Sequence, residues 1–513
     1  MASGSDTRST TTPEADEPRA NARLDHQACY QAISRRDRRF DGHFYTAVLT
    51  TGIFCRPSCP ARTPASKNVR FFAHAGGAVD AGFRPCRRCR PELAPAHPEW
   101  NRRADLANRA LALIEQGVVD QDGVGGLAAR LGVSERHLRR ELISEVGTGP
   151  QQLARTRRLW LARALLDQTS LSVTDIAFAS GFSSIRQFND SFRQAFAATP
   201  TELRRRPGRA KSEPQAVRLV IASRGRLGWG RLSSFLEARA IPGLESFAEN
   251  RFRRNLPGGW VELGPTADDH ALEVTCHLDE VGDLAHLVPI LRTVCDVDAD
   301  LAAITERLSA DSELAGLLAQ QRETTVPRLP GTFDRFEVAV RAVIGQQVSV
   351  AAARTTLGKL LDLVNPHTGG RHQRFCTPGE LLEAPLDQLG VPGTRRATLA
   401  SLAAAVDSGQ IELSPEADPA DVEARLLAIK GIGPWTAGYI VMRAFGHPDG
   451  WPAGDLVLAR RLGISGHQLQ SRADAWRPWR AYAAMTIWSA TPIEPTQPTV
   501  LDVPFLDVKE SRC

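Results

Sequence analysis

At 513 residues the chain is longer than one hydrophobic core organises, and an ordinary domain size of roughly 100–200 residues implies about three or four modules. Lys and Arg number 63 against 58 Asp and Glu, a net charge of only +5, yet the positive residues cluster in RRDRR, RRCR, RTRR and RRRPGR, a distribution suited to nucleic acid. No apolar run approaches the roughly 20 residues that span a bilayer, and the polar opening MASGSDTRSTTTPEADEPRA has no apolar secretory core, so the expectation is a cytoplasmic protein without membrane contact.

Residues 1–22 are rich in Ser, Thr, Pro and acids without periodicity, and a disordered tail is expected there. The next module, 23–97, holds a C-x3-C pair, Cys55 and Cys59 in TGIFCRPSC, and a C-x2-C pair, Cys86 and Cys89 in RPCRRC. Close pairs with a return loop suit one tetrahedral Zn(II) with four thiolates. The other five of the nine cysteines, at 29, 276, 295, 376 and 513, are scattered and odd in number, which argues for reduced thiols rather than a disulfide framework. A closed zinc site that only staples a small domain is one reading. The other starts from charge: Zn(II) with four thiolates is formally −2, so a sulfur keeps nucleophilic electron density while Arg56, Arg84, Arg87, Arg88 and Arg90 attract a phosphate backbone. Through DGHFYTAVLTTGIFCRPSCPAR and AGFRPCRRCRPE the module resembles the N-terminal domain of the Ada family of methylphosphotriester-repair regulators. The resemblance implies that Cys55 accepts a methyl group irreversibly while holding the metal with Cys59, Cys86 and Cys89. Methylation then removes one negative charge and weakens repulsion from DNA.

Residues 102–205 carry helical periodicity and a loose internal repeat, LAARLGVSERHLRREL at 127–142 and IAFASGFSSIRQFNDSF at 176–192. Superposing Gly132 on Gly181, a separation of 49, places Ala128 on Ala177, Val133 on Phe182 and Leu138 on Gln187. Each unit reads as helix, glycine turn and second helix, capped by Ser134 in the first and by Ser183 or Ser184 in the second. Arg136, Arg139 and Arg140, and in the repeat Arg186, Gln187 and Asn189, are the side chains expected to reach base edges or phosphates. With the connecting GPQQLARTRRLWLARALLDQT and the tail NDSFRQAFAATPTELRR, the segment resembles the DNA-binding domain of AraC-type regulators. That implies two recognition helices in successive major grooves of a promoter, and RNA polymerase as a partner. The basic stretch 206–215 reads as a linker.

Strand-like runs, AVRLVIASRG, WVELG and ALEVTCHL, mark a mixed region at 216–297, and 298–490 is almost wholly helical, followed by a tail at 491–513. In LLAIKGIGPWTAGYIVMR, Gly431 and Gly433 let backbone amides approach a phosphate and Pro434 opens the next helix. The loop AFGHPDGWPAGDLVLARRLG then delivers Asp455 ahead of an apolar helix, where an aspartate also makes an ordinary cap. Hairpin, loop and aspartate together resemble the helix-hairpin-helix glycosylases. Within them, RLPGTFDRFEVAVRAVIGQQVSVAAA and IKGIGPWTAGYIVMRAFGHPDGWPAGDL resemble the AlkA-type 3-methyladenine-DNA glycosylases.

The resemblance implies that Asp455 stabilises the positive charge developing on the sugar as the N-glycosidic bond breaks. A flipped, alkylated base is received by Trp435, Tyr439, Trp488 and Phe235, with Trp229 a further aromatic match. Gln347 stands at the position of the family's intercalating wedge. The carbonyls of Leu427, Ile429 and Ile432 are the expected ligands of a monovalent cation. Trp435 occupies the place of the lysine used by lyase-type relatives, so hydrolysis without strand cleavage is expected; no cysteine between 376 and 513 supplies an iron–sulfur cluster, and no Pro-Cys-His-Arg string supplies a second alkyl acceptor.

The expected fold class is multidomain α+β: a small zinc-binding α/β domain, an all-α double helix-turn-helix, a mixed α/β subdomain and an all-α helix-hairpin-helix domain. The expected function is a monomeric, nucleoid-associated repair protein and regulator acting on double-stranded DNA. The rival is a transcription factor whose glycosylase-like half is a DNA-binding scaffold.

Overall fold

The computed structural model describes residues 24–37, 40–89, 91, 106–204, 216–321, 323–368 and 372–490. The expected tails at 1–22 and 491–513, the linker at 206–215, residues 92–97 of the first module and Arg90 lie outside the described residues. The mixed α+β architecture expected from the sequence is present, and no described helix is long and apolar enough to cross a membrane.

Asp25 starts the first helix, His26–Ser34, by accepting from the Ala28 amide at 2.8 Å. Its buried face, Cys29, Ala32 and Ile33, packs with Phe44, Val69 and Phe71. Strands β1 (Tyr45–Val48), β2 (Ile53–Cys55), β3 (Val69–Phe72) and β4 (Arg84–Pro85) follow, in the order β3-β1-β2-β4. The β1–β2 and β1–β3 pairs are antiparallel, whereas β4 runs parallel to β2.

Helices Leu106–Glu115, Val118–Arg130 and Glu135–Val146 close on a core that includes Leu113, Leu127, Leu138 and Leu142. The 19-residue helix Pro150–Gln168 leads from them to Val173–Ala179 and Ile185–Phe196. Strands β5 (Val217–Ala222), β6 (Glu245–Ala248), β7 (Arg251–Leu256), β8 (Gly259–Pro265) and β9 (Ala271–Leu278) then form an antiparallel sheet ordered β5-β9-β8-β7-β6. In β5 the period-2 pattern buries Val217, Leu219 and Ile221, and these residues share one continuous core with Phe188 and Phe192 of the preceding helical unit.

From residue 299 onward the helices build two further cores, one around Val340, Leu399 and Ile440, the other around Leu314, Trp476 and Tyr482. Tyr439 packs against both. The sheet is tied to the first of them by buried charges: Arg254 and Arg341 pair with Glu337 and Glu245, with Arg341 Nη2 2.8 Å from Glu245. Burial alone would raise the Glu337 carboxyl, but the two guanidiniums overcome it and hold it at about 2.

The RTRR cluster does not form a nucleic-acid surface. Arg157 is buried, donating to the Glu115 carbonyl at 2.6 Å and pairing with Asp120 at 2.8 Å, while Arg158 lies over the Phe182 ring at 5.2 Å and Arg155 binds Gln194. These arginines fasten the long helix to its neighbours.

Candidate functional sites

Parallel pairing of β2 with β4 assembles the cysteine cluster. Strand β2 ends on Cys55, and β4 runs into Cys86, whose amide donates to the Phe54 carbonyl at 2.9 Å. A tight turn, with the Cys59 amide 3.1 Å from the Arg56 carbonyl, returns the second sulfur of the first pair. All four sulfurs lie within 4.8 Å of one another. Zn–S bonds of about 2.3 Å make a tetrahedron with edges of about 3.8 Å, so the donor set fits the ion in number, type and spacing. Cys86 and Cys89 are buried, while Cys55 and Cys59 are partly exposed at a cavity of ≈ 220 Å³ that Arg56 also lines. Behind the turn sits buried Asp41, which accepts from the Ser58 amide at 3.0 Å and hydroxyl at 2.6 Å and lies 3.5 Å from Arg56.

In the helical repeat the left-handed turns fall on Gly132 and Gly181, and the caps are Ser134 and Ser184, accepting from His137 and Gln187 amides at 3.2 Å each. The second turn is therefore one residue longer than the first. Leu138, buried, corresponds to buried Phe188 rather than to Gln187, which is exposed; the expected alignment at constant separation holds up to the turn and slips by one after it. Arg136, Arg139, Arg140, Arg186 and Gln187 are exposed on the two second helices, and Asn189 is half-buried.

The third constellation lies between the sheet and the two helical cores of the C-terminal half. Helices Pro419–Leu427 and Pro434–Ala444 flank an exposed hairpin in which Gly431 has φ +95°, and a Cβ there would fall 2.1 Å from Thr398 Oγ1. Gly433 is exposed, with nothing within 4 Å of where a Cβ would stand. Further along the second helix, Gly438 permits the close approach that places the catalytic candidate: a Cβ would sit 2.0 Å from the Trp451 carbonyl oxygen. The loop packed against it carries Asp455 to the N-terminus of helix Leu456–Leu462, where Oδ1 accepts from the Leu458 amide at 2.8 Å. The other oxygen, Oδ2, accepts from the indole N–H of Trp435 at 2.7 Å. Asp455 is thus both the helix cap and part of the wall of a cavity of ≈ 430 Å³, a volume within the usual range for small-ligand sites.

Trp435 and Tyr439 stack in that cavity with ring centroids 5.4 Å apart and an interplanar angle of 10°. Trp488 stands edge-on to Tyr439 at 6.2 Å, and Phe235 lies beneath the guanidiniums of Arg239 and Arg443, 3.7 and 4.6 Å from its centroid. Trp229 is not among the lining residues; it is buried under the sheet with its indole N–H 2.9 Å from the Asn250 carbonyl. Gln347 is exposed beside the cavity-lining Val348 and Val350, with a left-handed φ of +54°.

The comparisons with known proteins follow the same division of the chain. The metal-binding domain of Ada matches residues 28–92, a helix-turn-helix domain residues 127–206 and the AlkA N-terminal domain residues 218–334. The "Probable bifunctional transcriptional activator/DNA repair enzyme AlkA" of Mycobacterium tuberculosis (strain ATCC 25618 / H37Rv) is 42% identical over 482 residues, covering 91% of this chain and 96% of the relative. The chain belongs to the Ada/AlkA family of bifunctional transcriptional activator/DNA repair enzymes. Escherichia coli (strain K12) contributes two partial relatives. Its DNA-3-methyladenine glycosylase 2 is 29% identical over 51% of this chain and 93% of its own length, and its Ada enzyme is 38% identical over 32% of this chain and 45% of its own.

Several residues that shape the sites of this Ada/AlkA family member carry no signal in the sequence. Gln346, the neighbour of Gln347, donates to the Gly431 carbonyl and to Thr436 Oγ1, both at 2.9 Å, and so locks the Gln347 loop to the hairpin. Arg443 donates to Tyr439 Oη at 3.0 Å and to the Pro330 carbonyl at 2.6 Å. Burial raises the Tyr439 phenol, but Arg443 and Arg239 outweigh it and leave it below the usual range. Arg87, between the second pair of cysteines, donates to the Phe196 carbonyl at 2.9 Å and so reaches the C-terminal end of helix Ile185–Phe196.

Proposed function

We propose that the chain repairs alkylated DNA by two chemistries and regulates transcription with the product of one of them. Zn(II) bound by Cys55, Cys59, Cys86 and Cys89 keeps the Cys55 sulfur as a thiolate. Cys55 Sγ attacks the methyl carbon of a DNA methylphosphotriester; the S–C bond forms, the C–O bond breaks, and the phosphodiester regains its negative charge. The partly exposed position of Cys55 at a cavity it shares with Arg56 supports this reading. The cluster loses one negative charge in the same step, so affinity for DNA rises and a damaged backbone becomes a promoter signal. Arg136, Arg139, Arg140, Arg186, Gln187 and Asn189 then read or hold the promoter in two major grooves, with RNA polymerase as the partner recruited.

In the C-terminal half, a purine such as 3-methyladenine is extruded from duplex DNA and stacks on the Trp435–Tyr439 pair, bounded by Trp488 and Phe235. Gln347 fills the vacated stack. Gly431 and Gly433 bring hairpin amides to a backbone phosphate, and the carbonyls of Leu427, Ile429 and Ile432 would hold a monovalent cation that adds positive charge there. As the C1′–N bond breaks, its electron pair leaves with the base and the Asp455 carboxylate stabilises the cationic sugar while water adds at C1′. No lysine lines the cavity among the described residues, in keeping with hydrolysis rather than a Schiff base.

The observation that carries this half is the Trp435 indole holding Asp455 Oδ2 at 2.7 Å in the wall of an aromatic cavity. A structural cap needs no such second partner, which favours the enzyme over the scaffold reading. The test is excision from a duplex carrying one 3-methyladenine: more than one base released per chain, with the abasic strand intact until alkali is added. Strand cleavage by the protein itself would contradict the hydrolytic mechanism, and no release would favour the scaffold.

A further inference from the structure

A second cavity, of ≈ 480 Å³, lies where the cysteine module meets the five-stranded sheet. Arg56 lines both this cavity and the one that holds Cys55, so the two are neighbours across a single side chain. Five guanidiniums, of Arg56, Arg224, Arg226, Arg231 and Arg328, face three carboxylates, of Asp41, Asp300 and Glu323. Direct pairing cancels this excess only in part: Arg231 Nη2 lies 2.8 Å from Glu323, and the other four guanidiniums outnumber the two remaining carboxylates. Arg328 is buried, and its donors go to Ser223 Oγ and to the carbonyls of Leu227, Arg224, Arg226 and Asp296, none of them a carboxylate. Arg56 approaches Asp41 only to 3.5 Å, and Arg226 lies 3.3 Å from Asp269 while remaining 68% exposed. The Nε atoms of Arg56 and Arg231 are buried without a hydrogen-bond partner. A buried donor without an acceptor is unfavourable, so both side chains retain hydrogen-bonding capacity at the cavity wall.

The acceptor is narrowed by what the cavity lacks. Among the described residues no Trp, Tyr or Phe lines it, so a nucleobase would find no stacking surface there. Guanidinium forks match the oxygens of a phosphate, and the loop between them, with Gly225 at φ +66° and open space where its Cβ would stand, leaves room for one to approach the backbone. We infer that this cavity is a phosphate subsite for the DNA strand presented to Cys55, so that the sheet of the C-terminal half helps to hold the substrate of the N-terminal cysteine. The inference rests on the methyl-transfer reading. It favours a backbone phosphate over free phosphate because the site continues through Arg56 into the Cys55 cavity.

The test uses the full chain and a duplex with one methylphosphotriester, comparing wild type with Arg226→Glu and Arg226→Lys. Zinc content and melting temperature serve as checks of folding. Arg226→Glu should weaken binding about 10-fold near 0.15 M salt and reduce the slope of log K against log salt by about 1 or more, with Arg226→Lys close to wild type. Methyl capture should slow by the same factor when DNA is limiting and remain at the wild-type rate when DNA saturates. Wild-type affinity, slope and capture in Arg226→Glu would overturn the subsite. If inorganic phosphate raises the melting temperature of wild type but not of Arg226→Glu while DNA binding is equal in both, the cavity takes free phosphate and the backbone assignment is overturned. A wild type that binds DNA yet captures no methyl defeats the methyl-transfer reading instead; the difference in salt slope still decides whether a backbone phosphate enters the cavity.

Discussion

The cysteine cluster and the aromatic pocket are built in opposite ways. The first draws four identical side chains from residues 55 to 89 and needs only one pair of parallel strands to bring them together. The second draws different side chains from residues 235 to 488, each an ordinary residue in its own segment, and depends on one close helix–loop approach at Gly438 to set Asp455 beside Trp435. A site made of ligands is specified by composition and spacing. A site made of shape is specified by packing. The proposed chemistry differs to match: a thiolate consumed once against a cavity that turns over.

The sharpest way to separate the two regions is Asp455→Asn. Asn is as good a helix cap, so helix Leu456–Leu462 should persist while the loss of charge lowers base excision at least about 100–1,000-fold, measured as free base under single turnover. Methyl capture at Cys55 should continue unchanged in that variant. Glu337→Gln probes the packing on which the pocket depends. Removing one partner of a buried ion network destabilises by about 3–5 kcal/mol, read as a lower urea midpoint, with the cysteine module less affected. The same carboxyl gives a pH signature. Its folded value of about 2 lies below the 4.5 of the free group, so its contribution is present above pH 4.5 and is lost as the pH falls toward 2. Acid titration of the wild type should show that loss, and Glu337→Gln should flatten it.

Trp435→Phe keeps an aromatic surface but deletes the indole donor to Asp455. A hydrogen bond to a charged group contributes about 1.5–3 kcal/mol, so excision should fall about 10- to 100-fold without loss of stacking. An unchanged rate would return Asp455 to the status of a cap. The smallest effect is expected at the recognition helices, where Arg139→Ala should weaken promoter binding and reduce the salt slope by about 1 while leaving excision from non-promoter DNA at the wild-type rate.

How far the sequence speaks follows the same contrast. The cysteine spacing, the two glycine turns, the hairpin and Asp455 are local patterns, and each stands in the structure where its pattern put it. The failures are nonlocal. Counting residues could not reveal that the turn after Gly181 is one longer than the turn after Gly132, because Ser183 and Ser184 both offer a cap and only the choice of Ser184, with the burial of Leu138 and Phe188, shows the slip. The RTRR run looked like a phosphate surface because charge density carries no information about which face of a helix is covered. Trp229 matched a pocket aromatic in sequence and is core in space, whereas Gln346 and Arg443 gain their roles through partners on distant segments, the Gly431 and Pro330 carbonyls and the Phe235 ring.

The most direct test of the account is a single reaction. The full chain is incubated with duplex DNA whose methyl groups are radiolabelled on both backbone and bases, and protein-bound label is separated from free base. The account predicts label on the Cys55 peptide, at most one methyl per chain, together with released methylated purine in excess of the protein. Label on another cysteine, or free base absent while Cys55 is methylated, would contradict the claim that one chain carries both chemistries.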